Sequence, residues 1–147
     1  QGPLGDSKSL TLSVTASTFP LTADGFNPSI WEKGTFNAAT KTLVTGQYGF
    51  GGWQYSEGVN LSSYKRLVVE LGNDNTCQAS FRLFDSNNYW GSAAMYSFGS
   101  SRTLTIDLHT MVRDSDKSPV DPSHLYIIGF WSTGGKDIVI NSIRLEE

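Results

Sequence analysis

Four tryptophans, Trp31, Trp53, Trp90 and Trp131, stand beside glycines or near the ends of β-rich runs in this chain, and Tyr89 directly precedes Trp90. Polar side chains alternate with apolar ones nearby: Gln78, Ser80 and Arg82 in C-Q-A-S-F-R-L-F-D, and Glu70 in R-L-V-V-E-L. An indole accepts the C–H-rich face of a pyranose, while amides, guanidinia and carboxylates bond the equatorial hydroxyls. Trp53, Trp131, Trp90 and Tyr89, with Gln78, Arg82 and Glu70, are therefore the candidate carbohydrate-binding residues.

Plainer roles are open to each. Trp53, in G-F-G-G-W-Q-Y-S, either fills a hole in the core or faces a ligand, with Gly51 and Gly52 clearing space above its indole. Trp131 precedes the loop S-T-G-G, whereas Trp31, in the Ile30-Trp31 pair, is expected in the core. Tyr89 and Trp90 follow Asn87-Asn88 in an expected loop, where large exposed aromatics are costly unless they are used. In a strand over 77–85, Cys77, Ala79, Phe81 and Leu83 form one row, suited to the core, and Gln78, Ser80, Arg82 and Phe84 form the other. If the strand 66–71 pairs with it, Glu70 and Arg82 become a cross-strand pair on one outer face. Taken singly, these polar residues also fit an ordinary solvated sheet, so it is their clustering that points to recognition.

Other chemistries find less support. No G-x-S-x-G elbow accompanies His109 or His124, so a nucleophilic triad is not expected. A glycoside hydrolase needs two carboxylates flanking one bond, and only Glu70 and Asp85 offer themselves. Two isolated histidines and one cysteine make no zinc set. A structural calcium is the one metal with candidate ligands, in Asp24, Asp114, Asp116, Asp121 and Asn141. The chemistry expected is binding without catalysis.

Composition agrees with that expectation. A net charge of -3, 17% charged residues and no Lys/Arg cluster argue against nucleic acid and against an anionic membrane surface. No apolar run approaches the roughly 20 residues of a membrane span. Cys77 is the only cysteine, set in an alternating run that suits a small core residue better than a nucleophile. The opening Q-G-P-L-G resembles the remnant of a viral 3C-type protease site, so residues 1–5 are set aside as an expression-tag remnant. Residues 6–147 are read as one domain, expected to be monomeric and to come from a longer protein.

The elements that must position these residues are short. Runs rich in Val, Ile, Thr and aromatics recur between clusters of Gly, Asn, Asp and Ser, which predicts an all-β fold with no helix. Strands are predicted at 9–15, 29–31, 34–37, 42–45, 52–55, 66–71, 77–85, 94–98, 102–108, 124–131 and 137–145. Their spacing fits a β-sandwich of two antiparallel sheets. Leu104, Ile106 and Leu108 alternate with polar residues, as in a half-wet strand, while 125–131 is apolar on both sides and needs cover on both. The irregular stretch 110–123 must cross between strands.

With these residues in hand, the chain from Gly51 to Leu145 resembles the β-jelly-roll carbohydrate-binding modules attached to polysaccharide-degrading enzymes, especially those of Bacteroidetes bacteria. The resembling pieces are G-G-W-Q-Y, V-N-L-S-S-Y-K-R-L-V-V-E-L, A-S-F-R-L-F-D-S-N-N-Y-W, L-Y-I-I-G-F-W-S-T-G-G and I-V-I-N-S-I-R-L. The resemblance implies a jelly roll of two sheets with a concave face that binds a glycan chain, and no catalysis. The mixed polar and aromatic residues favour single chains, and the leading expectation is a β-linked plant cell-wall polysaccharide such as β-glucan, xyloglucan, xylan or mannan. The resemblance also implies a covalently linked hydrolase and a secreted, periplasmic or outer-surface location. Several such modules carry a structural calcium on an Asp of the last strand, where this chain has Asn141, which weakens the case for the ion. The rival expectations are a structural or protein-interaction sandwich and, behind it, a small hydrolase or lyase.

Overall fold

The computed structural model describes residues 18–87 and 93–147. They form ten strands and, among the described residues, no helix: β1 (Phe26–Trp31), β2 (Gly34–Asn37), β3 (Thr42–Thr45), β4 (Gly49–Val59), β5 (Arg66–Leu71), β6 (Ser80–Phe84), β7 (Ala94–Ser97), β8 (Thr103–Asp107), β9 (Leu125–Ser132) and β10 (Ile138–Glu146). Two five-stranded antiparallel sheets result, one ordered β1-β4-β9-β6-β7 and the other β2-β3-β10-β5-β8. The expected all-β sandwich is what the chain forms. The strand predicted at 9–15 and the segment 1–5 lie outside the described residues.

Alternation explains the core. Phe81 and Leu83 of β6, Ile128 and Phe130 of β9, and Trp53 and Tyr55 of β4 meet Leu43, Leu67, Val69, Ile106 and Ile140 from the facing sheet, all buried. Cys77 and Ala79 join this core as their row predicts. In β10 the inward residues are Ile138, Ile140, Ile143 and Leu145, and the step from 140 to 143 breaks a period of two. A register shift between Ile140 and Ser142 absorbs the extra residue, so both halves of the strand keep their apolar row inward. The expected core position of Trp31 is corrected: Ile30 is buried and Trp31 is 36% exposed.

Strand β9 lies centrally between β4 and β6, and its second apolar row has its own cover. On the outer side of the sheet Ile127 packs with Ile30, Phe50, Phe84 and Ala93 in a second, smaller cluster, with Trp131 and Tyr126 against it. Gly52 and Gly129 are direct cross-strand partners in this layer. A Cβ built at Gly52 would stand 2.7 Å from the Phe50 ring and 2.9 Å from the Gly129 Cα, and one at Gly129 would collide with the Gly51 carbonyl oxygen. These glycines let two strands and a phenyl ring approach one another. Gly129→Ala is accordingly expected to lower stability by about 1–3 kcal/mol through overpacking, read as a fall in the urea midpoint at unchanged slope.

Burial also sets a pH limit. Tyr55 is 3% exposed, and burial holds its phenol well above the usual tyrosine range. Tyr96 is shifted the same way by its partial burial and by Asp107. An acid with a raised folded pKa keeps its proton where the unfolded chain loses it, so stability falls as pH rises beyond about 10. Tyr55→Phe removes that contribution. The alkaline unfolding midpoint of the variant should move to higher pH, and an unmoved midpoint would remove Tyr55 as a cause.

Candidate functional site

The outer face of the β1-β4-β9-β6-β7 sheet carries an open recess of about 550 Å³, lined by Asn75, Thr76, Gln78, Ser80, Arg82, Met95, Ser97, Gly99 and Trp131. Its floor follows from strand pairing. Ser80 lies between Trp131 and Ser97 on its two neighbours, and Arg82 lies between Gly129 and Met95, so one row is aromatic-hydroxyl-hydroxyl and the next glycine-guanidinium-thioether. With no side chain at Gly129, nothing on β9 stands beside Arg82 at its own level. Its Cζ sits 5.1 Å from the centre of the Trp131 ring, and its Nε donates to Ser80 Oγ at 3.2 Å. That contact both orients the guanidinium and holds the indole.

One wall is the segment between β5 and β6. Asn75 Oδ1 accepts the N–H of Ala79 at 2.9 Å, and its Nδ2 donates to the Gly99 carbonyl oxygen at 3.1 Å. The Cys77 carbonyl oxygen accepts both the N–H of Thr133, at 2.9 Å, and its hydroxyl, at 3.0 Å. The wall is thus tied to the β7–β8 turn on one side and the β9–β10 turn on the other. Gln78 takes a left-handed φ of 52° with its side chain exposed, a conformation that costs a non-glycine residue on the order of 1 kcal/mol. The local conformational rule is broken at a residue that lines the recess. Beside Trp131, though not in the lining, stands Tyr48, 56% exposed, whose ring centre is 6.1 Å from that of Trp131 at an interplanar angle of 34°.

The segment 110–123 closes the far end of β6. Arg113 grips Asp85 with Nη2 at 2.7 and 2.8 Å and donates through Nη1 to Ser118 Oγ at 2.9 Å, while Asp85 Oδ2 also accepts the N–H of Asp121 at 2.9 Å. The Asp114 N–H bonds the Ala93 carbonyl oxygen at 2.9 Å, which brings this loop beside β7. Burial lowers the Arg82 pKa and the Asp114 charge opposes that shift.

Of the seven candidate residues, the structure brings Gln78, Arg82 and Trp131 together in one recess. Gln78 lies in the segment before β6 rather than within the strand, yet it faces the same space. Trp53 is corrected. It points into the core at 0% exposure, edge-on to Phe19, Phe26 and Phe36, and its Nε1 donates to the Thr22 carbonyl oxygen at 2.9 Å. Gly51, on the same side of β4, lies against Leu43 and Phe26, so the neighbouring glycines make room for core rings and not for a ligand. Glu70 is corrected as well: β5 belongs to the other sheet, between β10 and β8, and Glu70 meets Arg144 at 3.8 Å instead of Arg82. Tyr89 and Trp90 lie outside the described residues.

Glu70 and Asp85 therefore do not flank one bond, and Asp85 is held by Arg113. The aspartates suggested as calcium ligands form no group of three carboxylates either. The Ser118 hydroxyl and N–H hold Asp116 below the usual carboxylate range, and Ser123 does the same for Asp121, each carboxylate closing its own turn. Among the described residues, no group of three or more His, Cys, Asp and Glu side chains is placed to hold a metal ion.

Tyr48, Met95, Ser97, Asn75, Thr76 and Gly99 were not among the sequence-derived candidates. Tyr48 had a usable signal: if β4 and β9 pair with Phe50 opposite Trp131, the residue two before Phe50 sits diagonal to the indole. A second recess, of about 440 Å³, lies on the other sheet around Thr35, Thr42, Val44 and Asp137, and among the described residues its lining includes no tryptophan and no cationic residue. In comparisons with protein-family models, with curated proteins and with solved structures, nothing matches this chain.

Proposed function

We propose that this domain is a non-catalytic carbohydrate-binding module whose site is the outer face of the β1-β4-β9-β6-β7 sheet. The observation that carries the reading is the joint presence of an indole, a guanidinium, an amide and hydroxyls in one open recess, with Tyr48 beside the indole. Trp131 and Tyr48 supply apolar faces for a sugar ring, and Gln78, Arg82, Ser80, Ser97 and Asn75 supply donors and acceptors for its hydroxyls. An open recess of this kind suits a single glycan chain better than a crystalline surface, which calls for several coplanar rings. The resemblance to polysaccharide-targeting modules supports the same reading. With it go the jelly-roll connectivity, a β-linked plant polysaccharide as ligand, attachment to a glycoside hydrolase of a Bacteroidetes bacterium, and a location outside the cytoplasm. Tethering raises the local concentration of the attached enzyme on its substrate without altering its chemistry.

Isothermal titration with soluble β-glucan, xyloglucan, xylan and mannan tests the reading. Binding to at least one, with a change in tryptophan emission, is the expected result. Heat-silent titrations across this panel and with acidic oligosaccharides alike would reject it in favour of a structural or protein-interaction sandwich.

A further inference from the structure

The chain has five arginines, and four of them have a carboxylate within 4 Å: Arg66 with Glu146, Arg102 with Asp74, Arg113 with Asp85, and Arg144 with Glu70 and Glu146. Arg82 has none among the described residues, although it is partly buried and the chain carries a net charge of -3. Among the described residues it is also the only charged one lining the recess. Asp114 acts on it only from beyond ion-pair distance, and the stretch N-Y-W-G-S at 88–92 contains no acid. A partly desolvated cation is costly to keep unless something offsets its charge. The Ser80 hydroxyl and the Trp131 ring orient the guanidinium without neutralising it.

We infer that the recess takes an acidic glycan, a sugar carrying a carboxylate or a sulfate ester, with the anionic group on the Arg82 guanidinium and the ring against Trp131 and Met95. This rests on the carbohydrate-binding reading and carries it from the neutral β-glycans named above to charged glycans, whatever their linkage. Guanidinium is suited to the task because its planar fork donates two parallel hydrogen bonds to a carboxylate or sulfate. Gly129, the direct β9 partner of Arg82, carries no side chain, and Gln78 and Ser97 line the same recess, available to ring hydroxyls. Among the described residues, no acidic side chain in the lining repels such a ligand.

Three matched pairs test the inference by titration calorimetry: oligogalacturonate and its methyl ester, a glucuronic-acid-substituted xylo-oligosaccharide and the unsubstituted one, and a sulfated carrageenan oligosaccharide and its desulfated form. At least one acidic member should bind about tenfold or more tightly than its neutral partner, and which pair responds separates carboxylate from sulfate. Arg82→Gln should abolish that preference while leaving the thermal midpoint near that of the parent. Should the variant fail to fold, the parent protein decides: affinity for the acidic member must fall between 50 and 500 mM salt (on the order of a threefold change or more) while that for the neutral one stays put. Equal affinities within every pair, or a preference that survives both Arg82→Gln and high salt, would overturn the inference and leave the carbohydrate-binding reading standing. Absence of binding to all six ligands and to the neutral polysaccharides would overturn both.

Discussion

Replacing Trp53 with alanine is expected to cost about 3–5 kcal/mol of stability, a large share of the roughly 5–15 kcal/mol that holds a domain of this kind together. The indole is fully buried and edge-on to three phenyl rings, with Phe19, Phe26 and Phe36 at centroid distances of 6.0, 5.4 and 5.1 Å. Truncation leaves a cavity between the sheets and strips the Thr22 carbonyl oxygen of its Nε1 donor. Such a variant should show a strongly reduced urea midpoint. Any loss of glycan binding should track the unfolded fraction and vanish at temperatures where the variant is folded. Trp53→Phe, which refills part of the cavity, should recover much of the stability. A Trp53→Ala protein with parental stability but weakened binding would contradict the core assignment.

Replacing Trp131 with alanine is expected to do the opposite. The indole is half-buried on the outer face, packed against the small Ile127-Phe50-Phe84 cluster and flanked by Arg82 and Tyr48. Removing it takes away the largest apolar surface in the recess and the contact that orients Arg82. Truncating an aromatic residue at the centre of a binding site costs about 2 kcal/mol or more, which is about thirtyfold in Kd. The stability loss should be the smaller of the two variants, because one side of the ring already meets solvent. Tyr48→Ala should weaken binding with little change in stability, since that ring is exposed. Unchanged affinity in Trp131→Ala, with the protein folded, would place the ligand elsewhere.

The contrast between these tryptophans shows what the sequence made legible. Strands 34–37, 42–45 and 66–71 were readable at their observed bounds because local alternation and turn residues decide them. The inward Phe81 and Leu83 and the outward Ser80 and Arg82 followed from the pleat, while Cys77 and Ala79 reach the core from the irregular segment before β6. Around Trp53 the same logic had nothing to hold, because G-F-G-G-W-Q-Y buries residues on both faces of β4 and offers glycine where a polar residue would mark the wet side. Glu70 failed for a different reason. Adjacent strands in sequence need not be neighbours, and between β5 and β6 the chain passes from one sheet to the other. The recess itself combines a wall from 75–78, a turn at Gly99 and three strands, a juxtaposition that tertiary pairing creates and local pattern does not encode.

Which face of the sandwich meets the ligand is the central claim, and amide and indole chemical-shift mapping addresses it most directly. Titration of isotope-labelled protein with β-glucan, xylan and galacturonate oligosaccharides should, for at least one, move the amides of Gln78, Ser80, Arg82, Met95 and Ser97 and the Trp131 Nε1–H. Thr35, Thr42 and Val44 on the opposite sheet should stay in place. Shifts confined to that opposite sheet, or none with any of the three, would contradict the account.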